Sequence, residues 1–159
     1  MTQEHSETHT GASHYNRFLV MTAMHFVAMY FLMYSMVNIT DNVHHNLNQV
    51  YMAGVMTASM VLIELLLMGS MYERKRLNAL ILGVGLVALI GFFAMIREQV
   101  AISDRQFLKS MIPHHAGAIL MCEQAPIRAA AIRQLCGEIV ASQQSEIEQM
   151  RAMLRQSSR

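Results

Sequence analysis

Three stretches of the chain are nearly free of charge. Residues 18–37 and 78–96 hold no Asp, Glu, Lys or Arg, and residues 51–71 hold only Glu64. About 20 apolar residues at a 1.5 Å rise cover the roughly 30 Å of a bilayer's hydrocarbon. The pattern therefore predicts three membrane-spanning helices in a domain over 18–97. Beyond residue 97 the pattern changes. Ser103-Asp104-Arg105-Gln106 has the spacing of a capped helix start, and a helix over about 104–124 is expected, kinked near Pro113. Ala125-Pro126 interrupts it. A second helix over about 127–154 places Ile132, Leu135, Ile139, Ile147, Met150 and Leu154 along one apolar stripe. No strand-like alternation stands out. The expected fold is all-α: three transmembrane helices, then a C-terminal two-helix hairpin over 103–155. Two helices make a thin core. The hairpin is expected to pair with a second copy into a four-helix bundle, or to dock on the membrane domain. Residues 1–17, with His5, His9 and His14 among polar residues, read as a disordered tail.

The connections suggest an orientation. Arg74, Lys75 and Arg76 fill the link between the second and third spans, whereas 38–50 carries no Lys or Arg. The positive-inside rule then puts 72–77 and the N-terminus in the cytoplasm. The hairpin lies outside, which is the periplasm if the membrane is a bacterial inner membrane. Arg97, Arg105 and Lys109 run against that rule. The first span lacks the flanks and cleavage site of a signal peptide.

Composition narrows the function classes. Of 159 residues, 53% are hydrophobic and 14% charged, against about 25% charged in soluble domains. With a net charge of +1, nothing argues for nucleic acid. The partners expected are the lipid membrane, a metal ion and further copies of the chain. An enzyme is not expected: no Glu-x-x-His pair and no nucleophile–base–orienter set is visible.

Methionine is the outlier, at 16 residues. Met21, Met24, Met29, Met33 and Met36 share a broad face of the first span with His25. Met52, Met56, Met60 and Met68 recur at fours along the second with Glu64. Helix packing explains such stripes more often than a thioether path for metal does. Ionisable residues at membrane depth usually face protein or water, and His25 and Glu64 fall at equal depth, so they are expected to pair. His44-His45 reads as a solvated loop.

The densest chemistry lies in residues 107–122. Met111, His114, His115, Met121 and Cys122 bring thioethers, imidazoles and a thiol onto one helix. Such ligands suit Cu(I) or Ag(I), and zinc less well. A turn centred near 125–126 would put His115 opposite Cys136. The same turn would leave Cys122 about two helical turns from Cys136, so a disulfide between them is not expected.

At these residues the chain resembles domain-of-unknown-function family 305. The match runs through Phe107, Met111-Ile112, His114-His115, Gly117-Ala118-Ile119 and Met121. It continues with Leu135, Ile139, Gln143, Glu146-Ile147 and Met150. The resemblance implies a ferritin-like helical arrangement and an extracytoplasmic role linked to copper and silver. Leu120 stands where many members carry a carboxylate, Cys122 where many carry Ala, and the chain has no Trp. These departures shift the set away from di-iron chemistry and towards soft metal. The reading is a membrane-anchored Cu(I)/Ag(I)-binding protein for tolerance or delivery, with His114, His115, Met111, Met121, Cys136 and Cys122 as candidate ligands. The competing reading is a structural membrane protein whose hairpin is an oligomerisation module without metal.

Overall fold

The computed structural model describes residues 4–157, with side chains from His14 onward; His5 and His9 lie outside the described side chains. Five α-helices follow in order: α1 (Glu4–Leu32), α2 (Leu47–Met68), α3 (Lys75–Arg97), α4 (Asp104–Gln124) and α5 (Ala130–Gln156). Short 3-10 turns occupy Met33–Met36, Thr40–Asn42 and Gly69–Met71, and no strand occurs among the described residues. Helix α1 begins inside the segment expected to be a disordered tail. Residues 4–13 contain no proline, and extending a helix already nucleated by the apolar run adds one hydrogen bond per residue fixed. Three helical stretches, His14–Met36, Leu47–Met71 and Lys75–Arg97, are long and apolar enough to cross a membrane.

The chain divides into two compact units. The first holds α1 to Phe31 together with Val50–Gln99. Helix α2 is its central element, burying Tyr51, Ala53, Gly54, Thr57, Ala58, Val61 and Leu65. Small residues let the helices approach closely: a Cβ at Gly54 would lie 2.6 Å from the Phe92 ring. One end is clamped by aromatic and amide groups. The Tyr72 ring sits 5.4 Å from Tyr15 and 5.6 Å from Phe18. The Tyr15 hydroxyl donates to Asn78 Oδ1 at 2.7 Å, and Asn78 Nδ2 donates to the Tyr72 carbonyl at 2.9 Å. Elsewhere this unit leaves large apolar side chains such as Leu66, Leu67 and Val87 exposed, as expected of surfaces that face lipid.

The second unit holds Leu32–Gln49 and the chain from Val100 onward. Helices α4 and α5 pack as the expected hairpin, around Ile112, Ala116, Ile119, Ile147 and Met150. Its core is less thin than two helices alone would give, because the connection between the first two spans forms a third layer. Val37 packs against the core, and a Cβ at Gly117 would lie 3.4 Å from the Met36 carbonyl. Asn42, nearly inaccessible, accepts from Arg151 at 2.8 Å.

Local sequence explains both ends of that layer. Ser103 caps α4, its hydroxyl accepting from Gln106 N–H at 3.4 Å. The Gln106 side chain does not close a capping box; it accepts from Leu47 N–H at 3.0 Å instead. Asn46 Oδ1 takes the Gln49 N–H at 2.9 Å, an N-cap for α2. Pro113 has no N–H to give the Lys109 carbonyl, and Asn46 Nδ2 approaches that orphaned oxygen at 3.5 Å while donating to the His44 carbonyl at 2.9 Å. Helix α4 runs unbroken through Pro113.

Candidate functional site

The register of the hairpin decides which side chains meet. Helix α5 starts at Ala130, and Ala125 and Ala129 at the two ends of the connection are extended. The five-residue link shifts α5 along α4. His115 therefore faces Glu146 rather than Cys136: its Nε2 lies 2.7 Å from Glu146 Oε2. The same shift brings Cys122 and Cys136 together in a disulfide, with their Cα atoms 5.3 Å apart. This corrects the expectation that the two were out of reach. As half-cystines they offer no thiolate, so neither is a metal ligand in this state.

His115 is buried, and both ring nitrogens face acceptors. Nδ1 lies 2.8 Å from the Met111 carbonyl, which only accepts, so Nδ1 carries a proton. A neutral imidazole then presents a bare lone pair at Nε2, aimed at a carboxylate oxygen. At 2.7 Å a proton lies between the two atoms, and the pair is a hydrogen-bonded ion pair. Glu146 is held for this role from its other side, since Ser142 Oγ donates to Oε1 at 2.8 Å. That bond, and then the one to His115, hold the Glu146 carboxyl below its usual range.

Met111 lies one turn before His115, and Met150 one turn after Glu146. Antiparallel register sets them at the same seam: Met150 belongs to the buried core and Met111 packs against it. The carbonyl bond at Nδ1 is the kind of outer contact that fixes the tautomer of a metal-ligating histidine. Met111 and Met150 therefore lie one turn along the seam from the His115–Glu146 pair.

The other candidates separate from this seam. His114 is exposed, its ring centre 6.1 Å from that of His115. Met121 is exposed too, two turns further on. No group of three or more His, Cys, Asp or Glu side chains able to hold a metal occurs among the described residues. In the first unit, Glu64 accepts from the Tyr72 hydroxyl at 3.2 Å in place of the expected His25. Met24, Met52 and Met56 of the two thioether stripes are exposed. His44 is not in a solvated loop: its carbonyl accepts from Tyr34 Oη and Asn46 Nδ2, both at 2.9 Å.

Residues 92–154 match the family described as "Domain of unknown function (DUF305)". The chain is 33% identical over 139 residues to "Uncharacterized protein L153" of Acanthamoeba polyphaga mimivirus, an alignment that covers 86% of this chain and 90% of that protein. No solved structure matches.

Proposed function

Because the chain belongs to the same family as that mimiviral protein and carries a C-terminal DUF305 domain, we propose that it is a membrane-anchored protein that binds a soft cation in its helical hairpin. The carrying observation is the 2.7 Å hydrogen bond that brings the His115 imidazole and the Glu146 carboxylate together across the hairpin. The cation is Cu(I) or Ag(I), which would displace the proton as the imidazole and carboxylate move apart, given the thioethers of Met111 and Met150 one turn along the seam. Zinc, which prefers thiolate, imidazole and oxygen in a closed tetrahedron, fits less well. His114, exposed beside His115, is the capture residue from which the ion passes inward, and Met121 extends that outer face. The protein's role is metal tolerance or delivery rather than catalysis.

The proposed orientation has the N-terminus cytoplasmic and the hairpin outside, as in a bacterial inner membrane protein. Arg74, Lys75 and Arg76 between α2 and α3 support it. The Cys122–Cys136 disulfide supports it independently, since such bonds persist in oxidising compartments.

The test is a titration of the full-length protein in detergent with Ag(I), which needs no reductant and so leaves the disulfide intact. One Ag(I) per chain is expected. His115→Ala should weaken binding by about 100-fold and Glu146→Gln by about 10-fold, in line with the effect of losing a ligand or its outer support. His114→Ala should slow loading but leave the final affinity within a few fold. Undiminished binding by His115→Ala would end this reading. A second reading, an oligomerisation module without metal, is favoured by the half-exposed Phe107, Ile132, Leu135 and Met153 on the hairpin. It predicts a defined oligomer that Ag(I) and its removal leave unchanged.

A further inference from the structure

The second unit has another cavity, of about 490 Å³, whose lining includes Asp41, His44, Arg105, Lys109, Arg151 and Arg155. Four permanent cations against one carboxylate leave a charge of +3 (four minus one) before His44 is counted. A folded protein rarely gathers like charges around a hollow without a use for the field they create. The basic groups come from separate elements: Arg105 and Lys109 from α4, Arg151 and Arg155 from α5, with His44 from the connection before α2. The arrangement is a product of the fold and not a basic run in the sequence.

Two details give the cavity a built character. Arg151 is held by Asn42 Oδ1 at 2.8 Å, and the Asn42 amide is oriented in turn by donating to Asn38 Oδ1 at 2.8 Å. His44 Nε2 is buried without a hydrogen-bond partner. Burial, then Arg151, Lys109 and His45, hold the His44 imidazole below its usual value. A neutral His44 with a proton on Nε2 would donate to an anion.

We propose that this cavity binds a phosphate group through Arg105, Lys109, Arg151 and His44. Planar guanidinium donors match the oxygens of a phosphate, and lysine adds a point charge. The phosphate comes either from free inorganic phosphate or from an anionic lipid headgroup. The lipid source is close in sequence: Asp41 and His44 lie between two spans, and Arg105 follows the end of α3 by eight residues. On the proposed orientation, the site also accounts for Arg105 and Lys109 standing on the side where positive charge is disfavoured.

The experiment uses the full chain in nanodiscs at constant ionic strength, with thermal unfolding as readout. One arm adds inorganic phosphate to phosphatidylcholine discs, with chloride as the control. The other compares phosphatidylcholine discs with discs containing phosphatidylglycerol. Each is run on wild type, on Arg105→Gln/Lys109→Gln, and on Arg151→Gln, because the last also removes the bond to Asn42. Saturable stabilisation by phosphate that chloride does not reproduce, weakened at least 10-fold in the double variant, assigns the site to the free anion. Stabilisation only by phosphatidylglycerol, lost in the double variant, assigns it to a headgroup. No response in either arm, or an equal response from wild type and double variant, overturns the proposal.

Discussion

Glu64 in the first unit and His115 in the hairpin unit are both titratable groups on helices, yet they are satisfied in different ways. Glu64 is an acceptor that meets a donor, the Tyr72 hydroxyl eight residues away, and the pair is complete. His115 has an acceptor on each side, one from its own helix and one from residue 146, so both ring nitrogens are hydrogen-bonded. The difference teaches what each pair holds in place. A pair made within one helix and the turn after it anchors locally, whereas a pair made between residues 31 apart holds two helices in register.

The largest effect that would sharpen this contrast comes from the disulfide. Replacing Cys122 and Cys136 by Ser removes a link across a sequence separation of 14 residues, and a loop of that size is worth about 3 kcal/mol. Amide exchange should accelerate throughout α4 and α5 and remain unchanged in α2 and α3. Equal acceleration in both units would break the division between them. His115→Ala comes next. It strips Met111 O and Glu146 of their shared partner, and a loss of about 2 kcal/mol is expected. His114→Ala should stay within about 0.5 kcal/mol, as for an exposed position. Thermal unfolding of the two variants side by side measures the difference, and equal losses would deny His115 its special place.

In the membrane unit the strongest variant acts through packing. Gly54→Leu drives a side chain into the Phe92 ring and should cost about 1–3 kcal/mol, as overpacking does. Tyr72→Phe, which removes the donor to Glu64, should cost about 1 kcal/mol, the usual net worth of such a bond. Neither should change Ag(I) affinity; a change of 10-fold or more would tie the membrane unit to the metal chemistry.

The spans and the hairpin helices were legible in the sequence because length, charge and apolar period act locally. Ser103 announced the start of α4, and Ala125-Pro126 its end, for the same reason. The pairing across the hairpin was not legible. It depends on how many residues the link spends in extended backbone before α5 begins, and nothing local marks Ala129 as the last of them. That shift moved the partner of His115 from Cys136 to Glu146 and joined two cysteines thought to be apart. Met111 and His115 were visible as candidates. Met150 was visible on the apolar stripe and Glu146 only as part of a resemblance, and their spacing of four, matching that of Met111 and His115, was the available signal. The third layer from Leu32–Gln49 left no periodic trace, since it works through single side chains such as Asn42 and Asn46.

The smallest effect concerns acid. The Glu146 carboxyl is held below its usual range first by Ser142 and then by His115. A carboxyl lower in the folded chain than in the unfolded one contributes stability that is fully present above its unfolded value, about 4.3. That contribution fades as pH falls through the lower folded value. From pH 7 to pH 5 the hairpin should therefore unfold at the same temperature as far as Glu146 is concerned, with its contribution disappearing below about pH 4. Ser142→Ala removes the leading cause and raises the folded value towards the unfolded one, so the contribution at neutral pH should shrink and what remains should be gone at a higher pH. Thermal scans of both proteins between pH 3 and pH 7, read on the hairpin alone, check this. Coincident profiles would mean that Ser142 does not hold the carboxylate, and the case that Glu146 is poised to receive a cation would rest on His115 alone.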